Sequence, residues 1–252
     1  MKVVCIGSGN VATHMAAAFK AKGHDLIQVW SRNPDHAADL AKSLGAAHSS
    51  DLGDIDRSAD IYMIAVKDDA IASVAEALVD TDGLVVHTSG ATSLETLSSL
   101  KHYGVLYPLQ TFSKAKALDF SEVPLCIEAM DTAVLQKLRA VAEELSRLVY
   151  NVDSEQRKVL HLAAVFACNF VNHLYDLGER VLSDHQLGFE MLRPLIMETA
   201  LKVQEELPAR VQTGPAIRGD KQTMVKHLEM LNSLPHLQDI YQTLSKSIKK
   251  SQ

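Results

Sequence analysis

Lys2-Val3-Val4-Cys5-Ile6-Gly7-Ser8-Gly9-Asn10-Val11-Ala12 is the stretch that decides the fold. A run rich in β-branched residues leads into G-x-G-x-x-A, and Asn10 to Lys22 then carries helical apolar spacing. In a strand-turn-helix, Gly7 permits the tight turn, Gly9 lets the backbone approach a pyrophosphate, and Ala12 lets the helix pack close. The free N–H groups of the helix start, at Ser8, Gly9, Asn10 and Val11, would then face phosphates. A glycine-rich βα turn with no ligand is the plainer reading. Against it, a second βα unit follows where a dinucleotide-binding fold requires one.

That second unit pairs a strand at Leu26–Trp30 with a helix at Pro34–Leu44, and the alternation continues to about Val152. Strands are predicted at Ile61–Val66, Leu84–His87, Val105–Tyr107, Leu125–Glu128 and Leu148–Val152, and helices at Asp69–Leu78, Ser93–His102 and Thr132–Arg147. Strands joined by crossover helices imply an α/β Rossmann domain with a mainly parallel sheet, covered on both faces. After Asp153 the β signal stops. Helices are predicted at Ser154–Leu182, Phe189–Leu207, Asp220–Ser233 and Pro235–Lys249, with Lys246–Gln252 as a frayed tail. The chain therefore divides into residues 1–153, a nucleotide-binding domain, and residues 154–252, an all-α domain. Leu160–Val171 is apolar almost all round, which implies burial against the sheet domain and a second subunit. A homodimer is the expectation.

The 252 residues carry a net charge of -6, so no global basic field exists to hold nucleic acid. Cys5, Cys126 and Cys168 make neither a C-x-x-C motif nor an even set for a disulfide framework. No signal-peptide pattern and no apolar run of the ~20 residues that span a bilayer are seen, so a cytoplasmic protein that binds no membrane is expected.

Cofactor choice is read after the second strand, where an acidic residue usually bonds the NAD ribose. Here Trp30-Ser31-Arg32-Asn33 stands instead. Ser31 and Arg32 suit a 2′-phosphate and favour NADP(H), while Asp35 keeps NAD open. Ligands in open α/β sheets sit beyond the carboxyl ends of the strands. That adds Val66 and Lys67, then His87, Thr88 and Ser89, as residues bordering the nicotinamide, with a structural role for His87 as the alternative. Arg218, in the loop Gly214-Pro-Ala-Ile-Arg-Gly-Asp220, suits a substrate carboxylate or a structural ion pair. At 100° per residue, His161, Asn169, Asn172 and Asp176 share one stripe of a helix, facing either a substrate or a hydrogen-bonded core. In the catalytic reading His161 donates a proton, since histidine titrates near neutral pH. Asn169 orients the reacting group, Ser89 faces it from the strand side, and Arg218 anchors it.

The start of the chain resembles the N-terminal domain of pyrroline-5-carboxylate reductases, coenzyme F420-dependent NADP reductases and the 6-phosphogluconate dehydrogenase-like superfamily. Tyr107-Pro-Leu-Gln-Thr-Phe-Ser113, His161-Leu-Ala-Ala-Val-Phe-Ala-Cys-Asn169 and Gly214–Asp220 resemble the Rossmann-like and DUF2520 domain-containing proteins, through nearly the whole chain. The resemblance implies a dimerising, 6-phosphogluconate dehydrogenase C-terminal-like helical domain and NADP-dependent oxidoreductase activity on an unassigned substrate. It departs from the β-hydroxyacid dehydrogenases, whose catalytic Lys lies four residues before an Asn. Counting back from Asn169 gives Val165 and from Asn172 gives Cys168, so that acid is missing. Hydride exchange with a small C=O or C=N group is the expected reaction. An imine reductase similar to pyrroline-5-carboxylate reductase and a non-catalytic redox sensor are the alternatives.

Overall fold

A computed structural model describes residues 1–250. The chain divides into two compact units, residues 1–169 and residues 170–252. The first is built on an eight-stranded sheet in the order β3-β2-β1-β4-β5-β6-β7-β8. Its strands are β1 (Lys2–Ile6), β2 (Asp25–Trp30), β3 (Ala47–Ser49), β4 (Ile61–Ile64), β5 (Leu84–His87), β6 (Tyr103–Pro108), β7 (Leu125–Ala129) and β8 (Val149–Asn151). Every neighbouring pair is parallel except β6 and β7, so the mainly parallel α/β fold read from the sequence is the one found.

The period-2 rule sorts the core into two layers. Val3 and Cys5 join Val29, Met63, Val86 and Leu106 on one face, beneath α1 (Asn10–Ala21) and α2 (Pro34–Leu44). Val4 and Ile6 join Tyr62, Ile64 and Val85 on the other, beneath α3 (Ile71–Glu76). Helix α4 (Thr132–Leu145) places Leu138, Val141, Ala142 and Leu145 on the first face.

Two differences from the sequence reading lie at the sheet. The β3 strand was not expected: Ala47-His48-Ser49 has no β signature, and it is a strand because it pairs with β2 at the sheet edge. The predicted helix Ser93–His102 reduces to a 3₁₀ turn at Leu94–Leu97. Its start is held elsewhere, because Arg157 takes the Thr92 carbonyl and the Ser154 hydroxyl takes the Leu94 N–H.

That tether belongs to a buried ionic knot. Helix α5 (Ser154–Ala164) begins on a capping box between Asp153 and Gln156, and one turn later carries Arg157, which is 0% exposed. The Arg157 guanidinium meets the Glu128 carboxylate of β7 at 2.5 Å and the Thr92 carbonyl at 2.6 Å. Glu128 also accepts from the Ser154 N–H at 3.0 Å and the Ser154 hydroxyl at 2.8 Å. A guanidinium out of water needs such acceptors, and its two terminal nitrogens have them while the buried Nε–H has none among the described residues.

Beyond α5, residues Val165–Phe170 form a π-helix, where an extra residue per turn breaks the 100° count. The stripe expected from His161 through Asn172 and Asp176 therefore does not hold past Val165, and Asp176 pairs instead with Arg180 at 2.8 Å. Within the single chain Leu160–Val171 is largely exposed, Leu162 at 58% and Phe166 at 63%, so the sheet domain supplies little of the cover expected for it. The all-round apolar pattern specifies that a surface be covered, and the chain's own residues do not cover it.

The second unit contains α6 (Val171–Ser183), α7 (Arg193–Glu205), the short α8 (Pro215–Arg218), α9 (Lys221–Met230) and α10 (Pro235–Lys250). Asp220 caps α9 through the Thr223 N–H, and Gln238 of α10 donates to the Leu228 carbonyl of α9 at 2.6 Å. Helix α10 runs on through the expected frayed tail as far as Lys250; the last two residues of that tail lie outside the described residues. Among the described residues no helix is long and apolar enough to cross a membrane.

Glu128→Ala would leave the Arg157 charge buried without its carboxylate. It is expected to cost about 3 kcal/mol, as breaking one side of a buried pair does. Urea denaturation of the variant against the parent measures this, and an unchanged midpoint would show that Arg157 is satisfied without Glu128.

Candidate functional site

Strands β1 and β4 are neighbours although β2 and β3 intervene in sequence, so connections leave them in opposite directions and open a crevice at their carboxyl ends. A cleft of 820 Å³ lies there. Gly7, Ser8, Gly9, Asn10 and Val11 line it after β1, Ser31 and Arg32 after β2, and Val66 and Lys67 after β4. Thr88, Ser89 and Gly90 line it after β5, Tyr107, Pro108 and Gln110 after β6, and His161 from α5.

The turn after β1 is shaped by close approach. Gly7 has φ +127, and a Cβ on it would sit 2.1 Å from the Ala65 carbonyl oxygen. No other residue type fits. A Cβ on Gly9 would meet nothing within 4 Å, which leaves the cleft open over the start of α1. The cap of α1 separates it from its neighbours. Helices α2, α4 and α5 are closed by Asn33, Asp131 and Asp153, whose side chains accept N–H groups of the first turn. Gly9 caps α1 with no side-chain bond, and the first turn holds no acidic residue. Its unsatisfied N–H dipoles and open approach fit a pyrophosphate.

Beside it, the Ser8 and Ser31 hydroxyls are 2.8 Å apart, joining the β1 turn to the end of β2. Arg32 is exposed on the cleft wall with no partner among the described residues, whereas Asp35 is in the first turn of α2 and outside the lining. A free guanidinium and a hydroxyl at this strand end fit the 2′-phosphate of NADP. The Asn10 side chain is spent elsewhere, donating to the Phe112 carbonyl at 2.9 Å.

At the other end, the Tyr107 hydroxyl meets His161 Nδ1 at 3.1 Å. Burial foremost, with the nearby Cys126, pushes the Tyr107 phenol up to about 12, so it keeps its proton. A Cβ on Gly90 would lie 2.7 Å from His161 Nδ1 and 2.9 Å from the Tyr107 ring, so the bare backbone of Gly90 makes room for the pair. His161 is one turn beyond Arg157, and the ionic knot thereby sets its position.

His87 does not line the cleft. It is fully buried and accepts the Ser89 N–H at Nδ1. Burial first, and the Arg157 charge second, push its imidazole down to about 3, against a weaker opposing bond to the Ser93 backbone. Asn169 is exposed and outside the lining, and Arg218 is exposed on α8 of the second unit. Sequence reasoning quoted Tyr107 and Gln110 within a motif but assigned them no role. Their bond partners are distant in sequence or conformational, and nothing in the local pattern announces them.

Residues 123–248 match the family model described as domain of unknown function (DUF2520). The chain belongs to the DUF2520 family. Residues 2–89 of this DUF2520 protein also match the model for NADP oxidoreductase, coenzyme F420-dependent. A crystal structure from Bacteroides fragilis titled "putative NADP oxidoreductase" is similar at 44% identity and TM-score 0.95, over 99% of this chain and 98% of that one. An imine reductase from Myxococcus stipitatus in complex with NADP+ is 18% identical, with TM-score 0.66, over 99% of this chain and 92% of that one. A 1-pyrroline-5-carboxylate reductase from Streptococcus pyogenes is 11% identical, with TM-score 0.66, over 99% of this chain and 98% of that one. These last two share the fold. No curated protein matches the chain.

The buried His87 generates a pH prediction. In the unfolded chain this imidazole binds a proton below about 6.5, while in the folded protein it stays neutral down to about 3. The unfolded state therefore holds the extra proton between these values. His87 costs no stability above pH 6.5, and stability falls as pH drops through that window, by up to ~1.4 kcal/mol per unit. His87→Asn keeps an acceptor for the Ser89 N–H and removes the titration. Urea denaturation at pH 7, 5.5 and 4.5 should show a shallower loss for the variant; parallel curves would clear His87 of the effect.

Proposed function

We propose that this DUF2520 protein is an NADP(H)-dependent oxidoreductase that exchanges hydride with a small C=O or C=N substrate in the cleft at the carboxyl ends of β1, β4, β5 and β6. The single observation that carries the reading is the uncapped, unobstructed start of α1 with Ser31 and Arg32 beside it. The NADP oxidoreductase match over residues 2–89 and the name of the Bacteroides fragilis relative support it. So does the NADP+ bound to the imine reductase of the same fold.

Bound there, the nicotinamide supplies or takes the hydride. The chain does the rest. Backbone N–H groups from Gly9 to Val11 hold the pyrophosphate, and Arg32 with Ser31 holds the 2′-phosphate. Val66, Lys67 and Thr88 border the nicotinamide end. His161, in its imidazolium form, donates its Nε2 proton to the oxygen or nitrogen of the reduced group. The Tyr107 hydroxyl, able to donate or accept, holds Nδ1 in either state of the ring. With Val165 and Cys168 where a catalytic lysine would stand, a C=N substrate suits the chain, because a protonated imine is already electrophilic. Ser89 faces the reacting group, and Asn169 and Arg218 stand as further substrate residues on the reading of their motifs.

The protein also works as a homodimer in this reading. Val159, Leu162, Leu195, Met197 and Leu201 are each more than half exposed, and after residue 153 only Leu177, Ala216 and Leu237 are buried hydrophobics among the described residues. An apolar surface of that kind calls for cover, and a second copy brings the same surface.

Three outcomes test these statements. Calorimetry should find NADPH bound more tightly than NADH, with Arg32→Ala losing about tenfold or more of the NADPH affinity and little of the NADH affinity. Equal affinity of the parent for both cofactors would refute the 2′-phosphate assignment. In a screen of carbonyl and imine metabolites with NADPH, His161→Ala should lose more than about tenfold in kcat/KM, and Asn169→Ala and Arg218→Ala are scored the same way. Losses smaller than that in folded variants would move the site. Light scattering should report twice the chain mass at micromolar concentration, and Leu162→Asp should shift it towards the monomer.

A further inference from the structure

At the β5 and β6 end of the cleft, Ser89 and Gln110 spend their acceptors inside the protein and leave their donors facing the cleft. Ser89 is 8% exposed, and its oxygen accepts two backbone N–H groups, from Ala91 at 3.1 Å and Thr92 at 2.9 Å. With its lone pairs taken, its O–H has no acceptor among the described residues. A buried hydroxyl hydrogen left unpaired is costly unless a ligand accepts it.

Gln110, exposed on the lining of the same cleft, also spends its acceptor internally. Its Oε1 accepts the Thr111 N–H at 2.8 Å and the Thr111 hydroxyl at 3.3 Å. A backbone N–H can only donate, so the atom facing it is the oxygen, and the amide NH₂ is the end left free. The segment carrying Gln110 is fastened to the cofactor helix. Asn10 donates to the Phe112 carbonyl and His14 Nε2 to the Ser113 carbonyl, each at 2.9 Å, and the His14 and Phe112 rings stack at 5.1 Å. His161 stands at the same end, its Nδ1 3.1 Å from the Tyr107 hydroxyl, which leaves Nε2 as the ring nitrogen open to the reacting atom. Acceptors belong elsewhere: Thr88 gives its hydrogen to the Ile64 carbonyl of β4, and Asp68 and Asp69 follow β4.

We propose that Ser89 and Gln110 are specificity-determining donors, and that the group they select on the substrate is a carboxylate adjoining the carbon that exchanges hydride. Two neutral donors lining one cleft, Ser89 and Gln110, with the cleft's carboxylates Asp68 and Asp69 on the β4 side, match a group that accepts. The strap adds a coupling: the residues that clip Gln110 in place stand on the helix whose start holds the pyrophosphate. This proposal rests on the cofactor reading above.

The test uses the full-length protein saturated with NADP+, so that no turnover occurs. Oxamate and pyrrole-2-carboxylate are titrated by calorimetry against oxamide and pyrrole-2-carboxamide, which replace the carboxylate by an amide of the same shape. The acids should bind at least about tenfold more tightly than their amides. Gln110→Glu, which turns the donor into a like charge, and Ser89→Ala should each lose about tenfold or more of the acid affinity, with NADP+ affinity held within about twofold. Gln110→Leu separates the two effects, since it removes the donor without adding charge and should also weaken the acids. The proposal is overturned if acids and amides bind alike, if the variants keep the acid affinity, or if neither acid binds at ~10 mM to the NADP+-loaded protein. Failure of NADP+ itself to bind overturns the cofactor reading, and this proposal with it.

Discussion

A guanidinium that has left water must find its hydrogen-bond acceptors inside the protein, and the rest of the first unit is arranged around that demand of Arg157. Its partners come from three separate segments: Glu128 on β7, Thr92 in the β5–β6 connection and Ser154 at the start of α5. Meeting them fixes the antiparallel edge of the sheet, the turn that follows β5 and the direction in which α5 leaves. The same charge helps to keep His87 neutral behind the Ser89 turn. One turn along α5, His161 arrives against Tyr107 over Gly90. The polar machinery at this end of the cleft thus stands on a single buried ion pair.

The opposite end obeys a different constraint, steric rather than electrostatic. Gly7 passes so close to the Ala65 carbonyl that no side chain is admitted, and this contact draws the ends of β1 and β4 together under the crevice. Elsewhere in the unit α2, α4 and α5 meet their own N-terminal needs with Asn or Asp, and α3 continues from a 3₁₀ turn at Asp68–Ala70. Helix α1 leaves its own unmet, where Gly9 opens the way to it. The cap forgone is worth about 1 kcal/mol, and a bound pyrophosphate would answer the same N–H groups. Ser89 and Gln110 extend the logic from backbone to side chain, since in each the acceptor is consumed internally and the donor is left to the cleft.

The C-terminal helices present a third situation. Their apolar side chains carry amphipathic periodicity, yet many of the large ones are exposed, Leu195, Met197 and Leu201 among them. A hydrophobic pattern states that a face will be covered, not what will cover it. That is why the all-round apolar run at Leu160–Val171, expected to be covered by the sheet domain and a second subunit, is largely exposed within one chain. The π-helix at Val165–Phe170 lies in the same run, and it undid a stripe counted at a regular 100°.

The sequence by itself determined the βα alternation, the order of chemistry along it and the phosphate-binding turn. These rest on local rules: two-residue and 3.6-residue periodicities, and glycines where backbone must approach backbone. Ten of the eleven residues assigned from strand ends to the cofactor, Gly7 to Val11, Ser31, Arg32, Val66, Lys67 and Thr88, line the cleft, and only His87 does not. Tertiary structure alone decided which side chains are free to act. Asn10 is spent on Phe112, Asp176 on Arg180 and the Tyr107 hydroxyl on His161, while Ser89, Gln110 and Arg32 face the cleft with donors to spare. For Asn10 and Tyr107 the partner lies tens of residues away, at Phe112 and His161. No local pattern encodes that, because a hydrogen bond is satisfied in space and not along the chain.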